Sequence, residues 1–298
     1  MLSPEEAAAA RSAAVEALQA QLARDLTTAQ REMLRGLLNR LEDTLADPAL
    51  IAQLLAEYTA AVAVPLAVAY AQSLLLLPAL QLDYFAALGL TNYRQLRAPL
   101  TGLLETRLGI TAAGVPVPGG YLSTLVGDTT AQRELLRYAY QAQATGVGLG
   151  AYRQGLETLV TGGNGATGLM ERLYKEANDT YNEADRTLQH VAAEELGLSA
   201  YLYQGGLIKS SRAFCKVRNG RVFLRSEIAR FGTSADAYGG YRNKAAGEFD
   251  GRPDPYEPLV QAGGYSCRHT FHAISNSIAL SRRPDLMEDG AGKLVLRT

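Results

Sequence analysis

Cysteine is scarce in this chain: two residues, Cys215 and Cys267, cannot staple a disulfide-rich scaffold, and no Cys-x-x-Cys half-site is present. Neither sign of charge dominates. Lys plus Arg is 29 and Asp plus Glu is 30, a net charge of -1, which excludes a whole-chain electrostatic pull toward nucleic acid or membrane. Any such pull has to be local. The glycine-rich phosphate loop, the Gly-x-Ser-x-Gly elbow and the His-Glu-x-x-His motif are all missing, which removes the commonest nucleotide-handling and hydrolytic sites. No basic leader followed by an apolar run and a small-residue cleavage site opens the sequence, so synthesis in the cytoplasm is expected.

What the chain does contain is apolar surface for a core. Of 298 residues, 47% are hydrophobic and 20% charged, a globular composition at about twice the length of a typical domain, so two or three folding units are expected. The near-zero net charge conceals a polarity. Up to residue 208 there are 14 basic and 21 acidic residues; beyond it there are 15 basic and 9 acidic. Much of the positive excess lies in Lys209, Arg212, Lys216, Arg218, Arg221, Arg225 and Arg230, with Glu227 alone against them in that stretch. In a functional reading they form a basic face for phosphate groups or an acidic protein surface. In a structural reading they are solvated side chains around a small basic domain.

The first two-thirds of the chain carries helical signals. Residues 3–46 are rich in Ala, Leu, Gln, Glu and Arg, and Ser3-Pro4-Glu5-Glu6 supplies an N-cap, a first-turn proline and acidic residues where a helix begins. Val15, Leu18, Leu22 and Leu26, then Met33, Leu34, Leu37, Leu38, Leu41 and Leu45, recur at helical spacing until Asp47-Pro48 ends the stripe. From Tyr58 to Gln81 no residue is charged. That run is long enough to cross a bilayer. Pro65, Pro78, Gln72 and Ser73 and its alanine content favour instead a helix buried by protein, with conditional membrane insertion as the alternative. A turn-rich connector at 109–120 closes the first helical stretch, Asp128 to Tyr152 resumes the period, and residues 161–165 break it. A further long helix is predicted over 168–196, ended by Gly197. His190 on it is isolated, and its carboxylates match no Glu-x-x-His spacing.

Composition changes near Leu198. Residues 201–208 are β-prone and contain a glycine pair. Next comes Ser210-Ser211-Arg212-Ala213-Phe214-Cys215-Lys216-Val217-Arg218-Asn219-Gly220-Arg221-Val222-Phe223, where Asn-Gly between two short apolar runs predicts a hairpin. Gly263-Gly264-Tyr265-Ser266-Cys267-Arg268-His269 follows after a glycine- and tyrosine-rich stretch. The expected fold class is therefore mainly α, a long-helix N-terminal region followed by a small α+β C-terminal domain. The expected boundaries are 1–120, 121–198 and 199–298.

Those two segments resemble the C-terminal domain of phage head morphogenesis proteins, the phage Mu F-like minor head proteins, over residues 200–280. The helical part is similar to members from phages and prophages of Bacteroidetes-type bacteria. The resemblance implies a structural, non-enzymatic minor head protein of a tailed bacteriophage, made in the host cytoplasm and carried in the virion in several copies. Its implied partners are the portal protein, the major capsid protein and packaged DNA. Two alternatives accompany it: a virion protein ejected with the genome that meets the host membrane at that moment, or a toxin-type enzyme of the same family. An appended catalytic domain would be expected after this segment, where 17 residues follow Ser281, so the structural reading is the leading expectation. Many relatives end the second segment Cys-Arg-Cys; here it is Cys267-Arg268-His269, which keeps a ligand-capable residue in the last place.

Cys215, Cys267, His269 and His272 supply two thiols and two imidazoles, the inventory of a tetrahedral zinc site, although their spacing matches no known finger. The same residues also suit a plain core, in which Cys215 packs as a small hydrophobe and His269 bonds backbone, or a Cys-His nucleophilic pair without an evident third group. No cofactor other than zinc is implied.

Overall fold

The computed structural model describes residues 2–126, 129–163, 167–233, 235–238 and 256–297. Helices dominate the first two-thirds: α1 (Pro4–Asn39), α2 (Leu41–Ala46), α3 (Leu50–Tyr58), a π-helical turn (Thr59–Ala63), α4 (Val64–Leu74), α5 (Leu77–Ala87), α6 (Arg97–Leu108), α7 (Tyr121–Val126), α8 (Thr129–Ala144), α9 (Leu149–Thr161) and α10 (Leu169–Glu195). Mixed structure follows: β1 (Ala200–Gln204), α11 (Ala213–Arg218), β2 (Arg221–Leu224), α12 (Arg225–Ile228), α13 (Pro258–Gln261), β3 (Thr270–Ile274), α14 (Asn276–Arg282), β4 (Leu286–Glu288) and β5 (Leu294–Leu296). The chain is mainly α with a small sheet-containing C-terminal region.

Local chemistry explains the ends. Ser3 and Glu6 form a reciprocal capping box at the start of α1: the Glu6 N–H donates to Ser3 Oγ (3.2 Å) and the Ser3 N–H to Glu6 Oε2 (2.8 Å). The π-helical turn lies directly before Pro65. Proline has no N–H for the helix ladder and its ring crowds the carbonyl four residues back, so the backbone widens there. Pro78 sits in the first turn of α5, where its missing N–H costs nothing.

The chain forms two interleaved compact units, one of Met1–Ala17, Leu76–Gly102 and Asn178–Thr298, the other of Leu18–Leu75 and Leu103–Ala177. This division does not follow the linear boundaries at 120 and 198: the connector at 109–120 lies inside the second unit, and the C-terminal sheet shares its unit with the start of α1, with α5 and with the second half of α10.

In the helical unit, α8 packs against α2, α3 and α9. Tyr152 is fully buried, stacks on Tyr138 with centroids 5.7 Å apart and reaches Thr44 Oγ1 at 3.3 Å, while Tyr70 donates its hydroxyl to the Ala177 carbonyl at 2.7 Å. The uncharged run is covered on one side only. Ala67, Tyr70, Ala71 and Leu74 are buried, whereas Ala60, Ala61, Val64, Pro65 and Ala69 are exposed, one uncovered apolar side at helical spacing. The wider stretch Leu50–Ala87 has a mean hydropathy of 2.0 over its most apolar window, of which 28% is buried.

The other unit is built on an antiparallel sheet of order β2-β1-β3 with β1 central. Tyr203 pairs with Phe271, and Leu202 with His272. One face carries an aromatic cluster: the Phe223 and Phe231 rings meet edge-on at 5.1 Å, and Tyr203 lies 4.5 Å from Phe271. On the other, His272 packs against Tyr84 of α5 at 5.6 Å, and Tyr84 donates its hydroxyl to the Ala273 carbonyl at 3.0 Å. Nearby in this unit Arg11 of α1 holds Asp185 of α10 at 2.5 Å, both side chains buried.

The hairpin expected across Asn219-Gly220 is replaced by helix α11 feeding β2, and β2 pairs with β1 instead. Phe214, Cys215 and Arg218 at one-turn spacing bury one helical face, which outweighs β-propensity in so short a run. Asn-Gly still makes the turn: Gly220 takes a φ of 76°, which favours glycine, and its N–H donates to the Tyr203 carbonyl at 2.8 Å.

Candidate functional site

Three of the four sequence-selected ligands converge. Cys215 comes from α11, and Cys267 and His269 from the loop entering β3; their ligand atoms lie within 4.8 Å of one another, and all three residues are buried. The sulfurs are 3.7 Å apart, and His269 Nδ1 is 4.0 Å from Cys267 Sγ. His272 is not among them. Side chains alternate along a strand, so His269 and Phe271 share the Tyr203 face of the sheet while His272 points to the opposite face, with Leu202.

The loop is held from several sides. Arg186 of α10, itself buried, donates from Nε to the His269 carbonyl (3.0 Å), from one terminal nitrogen to the Val260 carbonyl (3.2 Å), and from the other to the Cys267 carbonyl. Asp179 accepts the Ser266 N–H at 2.5 Å. Gly263 and Gly205 permit the close packing. A Cβ at 263 would lie 2.5 Å from Cys215 Sγ and 2.9 Å from Cys267 Sγ, and one at 205 would lie 2.7 Å from the His269 Cα.

The hydrogen bonds run toward Cys267. Its sulfur accepts the Gly263 N–H at 3.3 Å and the His269 N–H at 3.4 Å, and the Tyr203 hydroxyl donates to Cys215 Sγ at 3.4 Å. Tyr203 also stacks on the His269 ring at 5.1 Å. Cys267 is held well below the usual thiol range, chiefly by the hydrogen bond from Cys215, then against burial by His269 and the Arg186 charge. Cys215 is raised, because that bond keeps its proton in place and burial adds to the effect. Burial, followed by the two neighbouring sulfurs, pushes Tyr203 well above the usual phenol range, so it remains a donor. The result is a protein-enclosed pair of sulfurs, Cys267 the more acidic of the two, with an imidazole beside them.

The basic residues do not form one group. Arg218 is 0% exposed: its terminal nitrogen grips both Asp236 oxygens at 2.7 and 2.5 Å, and its guanidinium lies 4.0 Å from the Phe214 ring centroid and 4.4 Å from that of Phe231. It is a core residue of the small domain and cannot contact DNA from there. Arg225 is exposed but ion-paired to Glu194 at 2.5 Å, and Arg212 donates to the Tyr265 carbonyl at 2.9 Å. Lys209, Lys216, Arg221 and Arg230 remain exposed. His190, isolated in the sequence, lies 3.8 Å from Glu194.

Sequence reasoning missed Arg186, Tyr203 and Asp236 as site residues. Each left a weak trace: Arg186 is the one Lys or Arg between 176 and 208, Asp236 the one acidic residue between Glu227 and Glu248, and Tyr203 a central-strand aromatic. Their roles depend on partners 12 or more residues away. No protein-family model, curated protein or solved structure matches the chain.

Proposed function

We propose that this chain is a structural minor head protein of a tailed bacteriophage, carried in the virion in several copies and bound to the portal and major capsid proteins during head assembly, with no turnover of its own. The reading starts from the resemblance of residues 210–223 and 263–269 to the Mu F-like minor head proteins. The observation that supports it is that these two segments meet: Cys215 from the first and Cys267 and His269 from the second share one buried cluster beside β1, as halves of a single domain kernel. Of the basic residues between 209 and 230, Lys209, Lys216, Arg221 and Arg230 are exposed and available to packaged DNA or an acidic capsid surface. Mass spectrometry of purified proheads and DNA-filled heads tests the assignment. The protein is expected in both, co-purifying with portal. Its absence from both overturns the reading, and its presence in proheads alone makes it an assembly factor.

A second reading, a virion protein that meets the host membrane during ejection, is favoured by the uncovered apolar side of the π-helical turn and α4. It differs in outcome: charge placed on that side leaves particle number normal and abolishes genome delivery, whereas in the first reading assembly itself fails.

A further inference from the structure

We infer that Cys215, Cys267 and His269 bind one zinc ion, which ties α11 to the loop entering β3; this does not rest on the proposed role in the virion. Two sulfurs bound to one tetrahedral zinc at about 2.3 Å lie about 3.8 Å apart. The Cys215 and Cys267 sulfurs are 3.7 Å apart. A sulfur and an imidazole nitrogen on the same ion lie about 3.6 Å apart, against 4.0 Å between Cys267 Sγ and His269 Nδ1, and Cys215 Sγ is within 4.8 Å of the His269 ligand atom, so the imidazole moves toward the two sulfurs when the ion binds. Thiolate and imidazole donors together suit zinc.

Three features around the triangle are those of a ligand site. Two backbone N–H groups, of Gly263 and His269, point at Cys267 Sγ, which spreads the negative charge of a coordinating thiolate. Gly263 leaves open the space beside both sulfurs that any side chain would fill. Arg186 fixes the Cys267 and His269 carbonyls, so the two loop ligands are oriented before a metal arrives. The Tyr203 hydroxyl lies next to the cluster, 3.4 and 3.9 Å from the two sulfurs. On binding, Cys215 loses its proton to solvent and both cysteines coordinate as thiolates, so affinity falls as the pH is lowered.

The test uses the full chain, purified under reductant from zinc-supplemented cells and again after incubation with zinc and gel filtration. Elemental analysis is expected to give one zinc per chain. Cobalt substitution should give the charge-transfer and visible d–d bands of a tetrahedral thiolate site. Cys215→Ser and Cys267→Ser should reduce the metal to background, and His272→Gln, on the other face of the sheet, should retain it. If the cysteine variants fail to fold, thiol alkylation of the native wild-type protein decides: zinc should protect both cysteines, and a chelator should expose them. A reduced wild-type protein that takes up no zinc, zinc retained by folded cysteine variants, or cobalt bands lacking thiolate charge transfer would overturn the inference.

Discussion

Truncating Arg218 leaves Asp236 with no guanidinium, and removing one partner of a buried ion pair costs about 3–5 kcal/mol. Arg218→Ala should therefore lose most of the small domain's stability in a denaturant titration, and Arg218→Lys should recover little, because one ammonium cannot grip both carboxylate oxygens and also cover the Phe214 and Phe231 rings. A loss under about 1 kcal/mol would place the residue on the surface, as its charge alone suggests. His272 makes a pH prediction. It is held well below the usual histidine range, first by burial and then by the charges of Arg11, which Asp185 pairs, and Arg186; Tyr84 packs on its ring. The folded protein keeps it neutral while the unfolded chain takes up a proton below about pH 6.5. Its contribution is thus complete above that value and is lost as the pH falls below it, by up to about 1.4 kcal/mol per unit. Across the range from about pH 7 to 5, stability should fall more steeply for wild type than for His272→Gln. Equal slopes would mean that the folded protein protonates His272 as readily as the unfolded chain does.

At the scale of the element, the uncharged run from Tyr58 to Gln81 is expected to be covered by protein in the assembled particle, and within one chain only one side of it is covered. Ala69 and Leu76, the latter 51% exposed, lie on the open side, while Ala71 and Leu74 are fully buried. A charge therefore has opposite consequences two residues apart. Ala69→Asp should change the unfolding free energy by about 0.5 kcal/mol or less. Ala71→Asp buries an unpaired carboxylate and should prevent folding, since that cost approaches the whole stability of a domain. Circular dichroism of both variants checks this, and similar melting would contradict the assigned faces. Particle counts and infectivity for Ala69→Asp then separate a protein-covered side from a membrane-seeking one. The same scale explains α11: a run of six residues carries too little periodicity to distinguish strand from helix, and the burial of Phe214, Cys215 and Arg218 on one side makes the choice.

At the scale of the whole molecule, the C-terminal sheet does not stand alone. Its unit includes Met1–Ala17, Leu76–Gly102 and the second half of α10, which bring Arg11, Tyr84 and Asp185. A fragment of residues 199–298 lacks all of these and also Arg186, so it exposes the His272 face and loses the anchor of the 263–269 loop. It should be unfolded or aggregated as an isolated piece. Deleting residues 1–17 from the full chain should destabilise it by about 3–5 kcal/mol or more, because Asp185 is left buried without Arg11. A dispersed amide spectrum from the 199–298 fragment would show that the linear boundary at 198 marks an autonomous domain after all.

How much was legible in the sequence follows the range of the force responsible. The cap at Ser3 and Pro4, the end of α10 before Gly197, the turn at Asn219-Gly220 and strand β1 in the β-prone stretch after Leu198 are set by backbone preferences and hydrogen bonds within a few residues, so the sequence by itself determined them and, with them, a mainly α chain ending in a small sheet. The pairing of Cys215 with Cys267 and His269 was legible as an inventory, though not as a geometry. What only the tertiary structure decided is where charge and imidazole are buried. Arg11 meets Asp185 across 174 residues, Arg186 meets Cys267 across 81, and His272 turns away from the cysteines because strand alternation and pairing with Leu202 put it on the other face. A polar side chain is stable in a core only when a distant partner compensates its lost hydration, and neither the partner nor the burial is encoded near the residue itself.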